Sequence, residues 1–305
     1  MNGKPCVVTI GFFDGVHRGH QFILAQVRNE ARCCDMMSAA VTFSNHPLTI
    51  VQPGFEPLLL SSPEEKLQLL RNTGIERVEM LQFTREMSLL SSKEFIQEVL
   101  VGTMNARKLI IGYDNRIGHD RLTFEGLVEV GKECGLEVIK AEEYKGEETM
   151  KFSSSVIRKA LIDGDIEKAN LVLGRHYSIS GTVVDGFRNG RTIGFPTANI
   201  KTEGQGKLIP HAGVYAVKVL LGDVWFNGMM NIGRRPTFHN GKEQTLEVNI
   251  FDFDADIYSK EITIAFVHFI REEREFQSID ELKAQITKDE QQCRRLLVSL
   301  NISFS

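Results

Sequence analysis

Long apolar runs are missing from this sequence. Nowhere in its 305 residues does an uncharged apolar stretch approach the ~20 residues that a bilayer crossing requires, so neither a spanning helix nor a membrane partner is expected. A basic surplus is missing too: 36 Lys+Arg stand against 40 Asp+Glu, a formal net charge of -4. No overall positive field exists to gather nucleic acid, although local sites for smaller anions stay open. Cysteine is scarce and badly spaced for cross-linking. Cys6, Cys33, Cys34, Cys134 and Cys293 form an odd set with no Cys-x-x-Cys, which suits neither a disulfide framework nor a zinc site, so reduced thiols are expected. Proline is limited to 8 residues, and with 26 Gly, 42% hydrophobic and 25% charged residues the composition excludes collagen-like, low-complexity and mainly disordered chains. Near the start, no basic segment leads into an apolar stretch and a cleavage site; a cytoplasmic location is expected.

What is present is enough chain for two domains, on a prior of roughly 100 to 200 residues each. Up to about Gly174, strand-like runs alternate with helical patterns: Cys6 to Ile10, Ser38 to Phe43, Arg77 to Phe83, Lys108 to Gly112 and Leu136 to Ala141. The spacing predicts a helix over Ser91 to Met104, opened by a Ser91-x-x-Glu94 capping box, and another opened by Ser62-Pro63-Glu64-Glu65. This order predicts a doubly wound parallel sheet with helices on both faces and ligands at the carboxyl ends of the strands. Beyond Gly174 come short alternating strands, Tyr177 to Val184, Gly213 to Leu221, Val224 to Met229, Gln244 to Phe251 and Glu261 to Ile270, which predict an antiparallel barrel. Ile279, Leu282, Ile286, Cys293 and Leu297 then recur at helical spacing behind Ser278-x-x-Glu281, a closing helix. The expected domains are 1–174 and 175–305.

The densest stretch is Gly11-Phe12-Phe13-Asp14-Gly15-Val16-His17-Arg18-Gly19-His20, between a strand and an amphipathic helix. Glycine lets backbone approach a ligand closely, and free amides at a helix start attract anions, so phosphate belongs here. Neither Gly-x-Gly-x-x-Gly nor Gly-x4-Gly-Lys-[Ser/Thr] is present, which leaves no nicotinamide fingerprint and no P-loop. Two imidazoles three residues apart can both meet one phosphate and donate to its oxygens as charge shifts. An isolated pair of histidines is more often a set of solvated surface groups, with metal binding next; within this glycine-rich turn the phosphate reading wins. Ser153-Ser154-Ser155 followed by Arg158 offers hydroxyls and a guanidinium suited to a triphosphate, or simply helix caps.

In the second half, Gly194-Phe195-Pro196-Thr197-Ala198-Asn199 ends a turn by presenting a hydroxyl and a carboxamide, both oxygen donors for magnesium beside nucleotide phosphates; the alternative is a purely structural turn. In Thr245 to Phe251, Leu246, Val248 and Ile250 share one face while Glu247 and Asn249 share the other. A Glu247 facing a pocket can take a proton from an attacking alcohol; otherwise it is a solvated carboxylate.

Taken together, these motifs resemble the bifunctional riboflavin kinase/FAD synthetase family of bacteria over nearly the whole chain. Gly11 to His20 is similar to the family's adenylyltransferase motif, Phe152 to Arg158 to its second nucleotide motif, and Gly194 to Asn199 to the flavokinase motif. Asn231-Ile232-Gly233, Arg235 to Phe238, the Glu247 strand, Arg271 and Phe276 follow in the family's order. The resemblance implies a Rossmann-like nucleotidyltransferase domain followed by a kinase barrel. In the barrel ATP phosphorylates riboflavin to FMN; in the first domain ATP adenylylates FMN to FAD. It further implies that His17 and His20 meet the ATP phosphates, helped by Gly11, Phe12, Phe13, Asp14, Gly15, Gly19, Asp114, Ser154, Ser155 and Arg158. Gly194, Pro196, Thr197 and Asn199 would hold the second ATP, the last two with Mg2+; Glu247 would be the base, and Arg271 and Phe276 would bind flavin. Departures sit in the first half: Ser44-Asn45 replaces the family's usual acid, and Asn115 and Ile117 replace aromatics, which bears on the grip on flavin or adenine. Two competing readings keep only one activity, or make the chain a flavin- or nucleotide-binding regulator.

Overall fold

A computed structural model describes residues 4–112, 117–144, 146, 150–185, 194–202, 206–236 and 242–298. The chain divides into two compact units, Met1–Ser154 and Ser155–Ser305.

The first unit is built on strands β1 (Cys6–Ile10), β2 (Met37–Phe43), β3 (Arg77–Leu81), β4 (Ala106–Ile111) and β5 (Glu137–Lys140), all parallel, in the order β3-β2-β1-β4-β5. Each expected strand is present. β1 is buried throughout, and its residues alternate between two apolar layers. Cys6, Val8 and Ile10 join one layer and Val7 the other. The helices are α1 (Arg18–Cys33), α2 (Leu48–Val51), α3 (Pro63–Asn72), α4 (Arg85–Leu89), α5 (Ser92–Phe95) and α6 (Phe124–Glu133). Leu24 and Val27 of α1 and Leu70 of α3 cover one face of the sheet; Phe95 of α5 and Leu127 of α6 cover the other. This is the expected doubly wound arrangement. The strand order reverses at β1, which opens a crevice at its carboxyl end. The two capping boxes predicted in this unit are present, Ser62 with Glu65 and Ser91 with Glu94. The helix predicted over Ser91 to Met104 is not one regular α-helix, however. After Phe95 it widens into a π-helical segment, Ile96–Thr103, in which the Met104 amide reaches back to the Val99 carbonyl at 3.0 Å.

The second unit takes in α7 (Ser154–Ile162) from its second residue on and α8 (Ile166–Leu173), followed by β6 (Tyr177–Val184), β7 (Ala198–Thr202), β8 (Gly213–Leu221), β9 (Val224–Pro236), β10 (Lys242–Ile250) and β11 (Glu261–Arg271). The strands close into an antiparallel barrel in the order β10-β7-β6-β11-β8-β9. β7 is absent from the sequence expectation because Gly-Phe-Pro-Thr-Ala-Asn reads as turn, and of its residues only Ile200 is buried. The final helix, α9 (Ile279–Val298), buries Cys293 and Leu297 against Val214, Ala216 and Met229. Ile279, expected on that face, stands in the first turn and is 63% exposed, ahead of the half-buried Leu282 and Ile286. In the second unit α8 packs on β6 and β11, and the Leu161 carbonyl of α7 accepts the His211 amide at 2.9 Å.

Candidate active sites

The turn after β1 is strained and tightly braced. Phe13, Gly15 and Val16 all have positive φ, 52°, 73° and 38°, and for a β-branched residue such as Val16 that region is an outlier. Strain of this kind costs about 1–3 kcal/mol per residue and persists only where the surroundings over-determine it. Here they do. The buried Asp14 carboxylate accepts the Leu60 amide at 2.9 Å and the Ser61 amide and hydroxyl at 3.2 and 3.3 Å. The Gly15 amide donates to Ser61 Oγ at 3.1 Å, Gln21 Nε2 to the Val16 carbonyl at 2.9 Å, and the Ser154 hydroxyl to the Asp14 carbonyl at 3.0 Å. Asp14 and Ser154 therefore spend their side chains on the scaffold.

The turn delivers two imidazoles to the start of α1. Their rings stack with centroids 3.6 Å apart and planes at 20°, and Phe13 meets the His20 ring edge-on. His17 caps the helix: its Nδ1 accepts the His20 amide at 3.4 Å, which leaves the proton on Nε2. A Cβ on Gly19 would lie 3.2 Å from the His17 ring, so glycine gives that ring its place. His20 Nδ1 is buried with no hydrogen-bond partner. Burial above all, then the neighbouring His17 ring and the Lys66 charge, hold the His20 pKa well below the ordinary imidazole value, so the ring is neutral.

Sequence reasoning missed Lys66. It lies on α3 and is 2% exposed; Nζ donates to the Phe43 carbonyl at 2.6 Å and sits 3.8 Å from the centre of the Phe12 ring. Burial lowers its pKa to about 8, against the raising influence of Asp14. The available signal was a lysine one turn before Leu70 on the helix's apolar face.

The departures from the family pattern have visible roles. Asn45 imitates a strand, with Nδ2 donating to the Phe83 carbonyl at 2.9 Å and Oδ1 accepting the Phe83 amide at 2.8 Å. Ser44 donates its amide to the Leu81 carbonyl at 2.8 Å. Ile117 is a core residue, 3% exposed, whose carbonyl accepts the Ser92 hydroxyl at 2.7 Å. Asp114 and Asn115 lie outside the described residues. Ser155 is exposed and Arg158 half-buried on α7, in the second unit.

In the barrel, β7 and β10 pair so that Asn199 stands directly opposite Glu247. Thr197 Oγ1 is 3.5 Å from Glu247 Oε2, and Asn249 Nδ2 donates to the Pro196 carbonyl at 2.6 Å, which fixes the turn at Gly194 to Thr197. Gly194, at φ +91°, has open space around its missing Cβ. A cleft of about 330 Å³ opens beside Thr197 and is lined by Pro196, Val248, Phe253, Ile257 and Tyr258 among others. Val248 and Ile250 line this cleft, and Glu247 alternates with them on the opposite face of β10. Among the described residues no group of three His, Cys, Asp or Glu could hold a metal. The donors here are a hydroxyl, a carboxamide and one carboxylate, and such an oxygen set fits magnesium when phosphate oxygens and water complete the shell.

Arg271 and Phe276 come together at the end of β11, the guanidinium 5.7 Å from the ring centre and Arg274 at 4.7 Å. Asp289, on α9, was not anticipated. It is 2% exposed and accepts from Arg271 Nε at 2.9 Å and NH2 at 2.8 Å, while Gln285 donates to its other oxygen at 2.6 Å. The buried carboxylate thus aims Arg271.

A parallel-sheet unit followed by a closed antiparallel barrel, each with its own polar cluster, is the setting of a two-domain enzyme. Residues 1–156 match the FAD synthetase family and residues 173–297 the riboflavin kinase family. The bifunctional riboflavin kinase/FMN adenylyltransferase of Bacillus subtilis strain 168 is 36% identical over 299 residues, covering 96% of this chain and 93% of the relative. That of Escherichia coli K12 is 39% identical over 289 residues, covering 94% and 91%. The chain belongs to the bifunctional riboflavin kinase/FMN adenylyltransferase family. It is a two-activity enzyme of flavin cofactor biosynthesis, with the FAD synthetase part first, and both activities use ATP as co-substrate. A crystal structure described as a macrolide-efflux protein from Streptococcus pneumoniae superposes with a TM-score of 0.87 at 32% identity, covering 96% of this chain and 95% of the other. Among the described residues, no helix is long and apolar enough to cross a membrane.

Proposed function

We propose how the residues divide the work: the barrel transfers the γ-phosphoryl group of ATP to riboflavin, and the parallel-sheet unit joins FMN to the adenylyl group of a second ATP. The observation that carries this reading is that each unit holds its own polar constellation. His17 and His20 stack at 3.6 Å in one, and Thr197 stands 3.5 Å from Glu247 in the other.

In the barrel, the terminal ribityl hydroxyl of riboflavin gives its proton to Glu247 as its oxygen bonds the γ-phosphorus and ADP departs. The ATP occupies the cleft beside Thr197, and the acceptor alcohol comes from the Glu247 side. Thr197 and Asn199 are the residues that would hold Mg2+ with the ATP phosphates. When bound, magnesium neutralises phosphate charge and orients the triphosphate. Gly194 and Pro196 shape the turn beneath the nucleotide, and Arg271, aimed by Asp289, holds flavin with Phe276.

In the first unit the attacking group is the FMN phosphate, already ionised, so no base is needed. Its oxygen bonds the α-phosphorus of ATP and pyrophosphate leaves. Amides of the turn and the N–H groups of His17 and His20 receive the charge that moves onto the departing phosphates. Gly11, Phe12, Phe13, Gly15 and Gly19 form the cradle, braced by Asp14 and Ser154. Asp114, Ser155 and Arg158 keep the nucleotide-binding role implied by the motif order alone. The setting is the cytoplasm.

The test is to supply riboflavin, ATP and Mg2+ to the purified chain and follow FMN and FAD separately. Glu247→Gln should lower FMN formation by ~10²- to 10⁴-fold while added FMN is still converted to FAD, and His20→Ala should do the reverse. Loss of both products in each variant, with folding unchanged, would show one shared site.

A further inference from the structure

The sealed lysine beneath the turn after β1 has no part in the chemistry described so far. Of the three N–H donors of the Lys66 ammonium, one goes to the Phe43 carbonyl at 2.6 Å, and the charge lies over the Phe12 ring at 3.8 Å. Asp14 is close enough for its charge to be felt, yet its oxygens are occupied by Leu60 and Ser61, and Lys66 makes no ion pair among the described residues. A lysine 2% exposed without such a partner opposes folding at neutral pH, because burial favours the uncharged amine. Folds retain local conflicts of this kind mainly at sites of function. Lys66 also joins two pieces of one site: Phe43 is the last residue of β2, and Phe12 belongs to the phosphate turn.

We propose that Lys66 is a positioning residue for adenylyl transfer, its ammonium tying the turn after β1 to the carboxyl end of β2 and setting where Phe12 stands. The inference rests on reading that turn as the adenylyl-transfer site. Phe12 is located from three sides: by Lys66 on its ring face, by the His46 ring at 4.7 Å edge-on, and by the Thr42 hydroxyl, which donates to its carbonyl at 3.0 Å. The Lys66 charge also reaches His20 and favours its neutral form, in which the ring lies against His17 without repulsion. The titratable groups facing Lys66 are Asp14 in the turn and His20 on α1, with His17 and His46 each one ring further away; β2 offers it a carbonyl.

The experiment uses the full chain and compares Lys66→Met and Lys66→Arg with the parent. Lys66→Met should lower kcat for converting FMN to FAD by about tenfold or more, as misplacement of a reacting group does. KM for ATP and conversion of riboflavin to FMN should stay within roughly threefold of the parent, and the thermal midpoint should not fall. In the parent, FAD formation should decline as pH rises through about 8 and the ammonium is lost. That decline should be absent from Lys66→Arg, whose guanidinium keeps its charge. FAD formation by Lys66→Met within roughly threefold of the parent overturns the proposal. So does a loss of kcat accompanied by a lower thermal midpoint. If Lys66→Met does not fold, the alkaline decline decides alone, and its persistence in Lys66→Arg overturns the proposal. Unchanged FAD formation in His20→Ala would instead overturn the reading of the turn itself.

Discussion

The site proposed for the first unit comes mostly from one unbroken stretch, Gly11 to His20, whereas the one proposed for the barrel draws on Thr197, Glu247, Arg271 and Asp289, from segments that meet only when the strands close. The contrast is one of where the precision comes from. In the turn, a strained backbone is locked by short hydrogen bonds from Asp14, Ser61, Gln21 and Ser154, so position is set locally. In the barrel, the Asn199–Glu247 register and the Asp289–Arg271 pair set position across strands and from a helix. The two units should therefore respond differently to loss of a brace. The chain's single tryptophan, Trp225 on β9, reports the barrel unit alone, and circular dichroism reports both.

The largest effect is expected from Asp289→Ala. Removing the partner leaves Arg271 with 20% side-chain exposure and no counter-charge, a change worth about 3 kcal/mol. Trp225 fluorescence should show earlier unfolding in urea, riboflavin KM should rise, and conversion of added FMN to FAD should be untouched. Parallel loss of both activities would remove the contrast between units. Asp14→Ala comes next. It leaves the Leu60 and Ser61 amides without their acceptor, a loss of about 2–3 kcal/mol. Here circular dichroism should report an early transition that Trp225 fluorescence misses, and FAD formation should drop while FMN formation persists. The smallest effect is that of acid. Because the His20 pKa in the folded chain lies well below 6.5, the unfolded chain binds more protons once pH falls under that value. Stability of the first unit should decline with pH in that window. A thermal midpoint measured against pH should show a shallower decline in His20→Ala; equal slopes would remove His20 as the cause.

The same contrast explains what could be read from sequence. The histidine-bearing turn was legible as a turn because its residues are neighbours in the chain, and the capping boxes at Ser62 and Ser91 were legible because they span a single helical turn. Alternation placed Glu247 on a face apart from Leu246 and Val248, but could not show that the cleft opens on the Val248 side. β7 was hidden by turn-forming residues whose pairing with β6 and β10 is set from outside. Lys66 and Asp289 were missed for a common reason. Each replaces an apolar residue on a buried helix face, and the groups that make this tolerable, the Phe43 carbonyl and Arg271, are remote in sequence. Periodicity shows which face is covered; it does not show what waits opposite a charge.

Closure of the barrel has a consequence for behaviour in concentrated solution. Among the described residues, a ring of strands bonded in the order β10-β7-β6-β11-β8-β9 offers no unpaired margin to a neighbouring molecule, so there strand addition is left to β3 and β5 at the borders of the parallel sheet. Those borders carry Arg77 and Glu79 on one side and Glu137 and Lys140 on the other. Charges at both margins discourage the stacking of chains into fibrils, a hazard to which an apolar border would expose the enzyme.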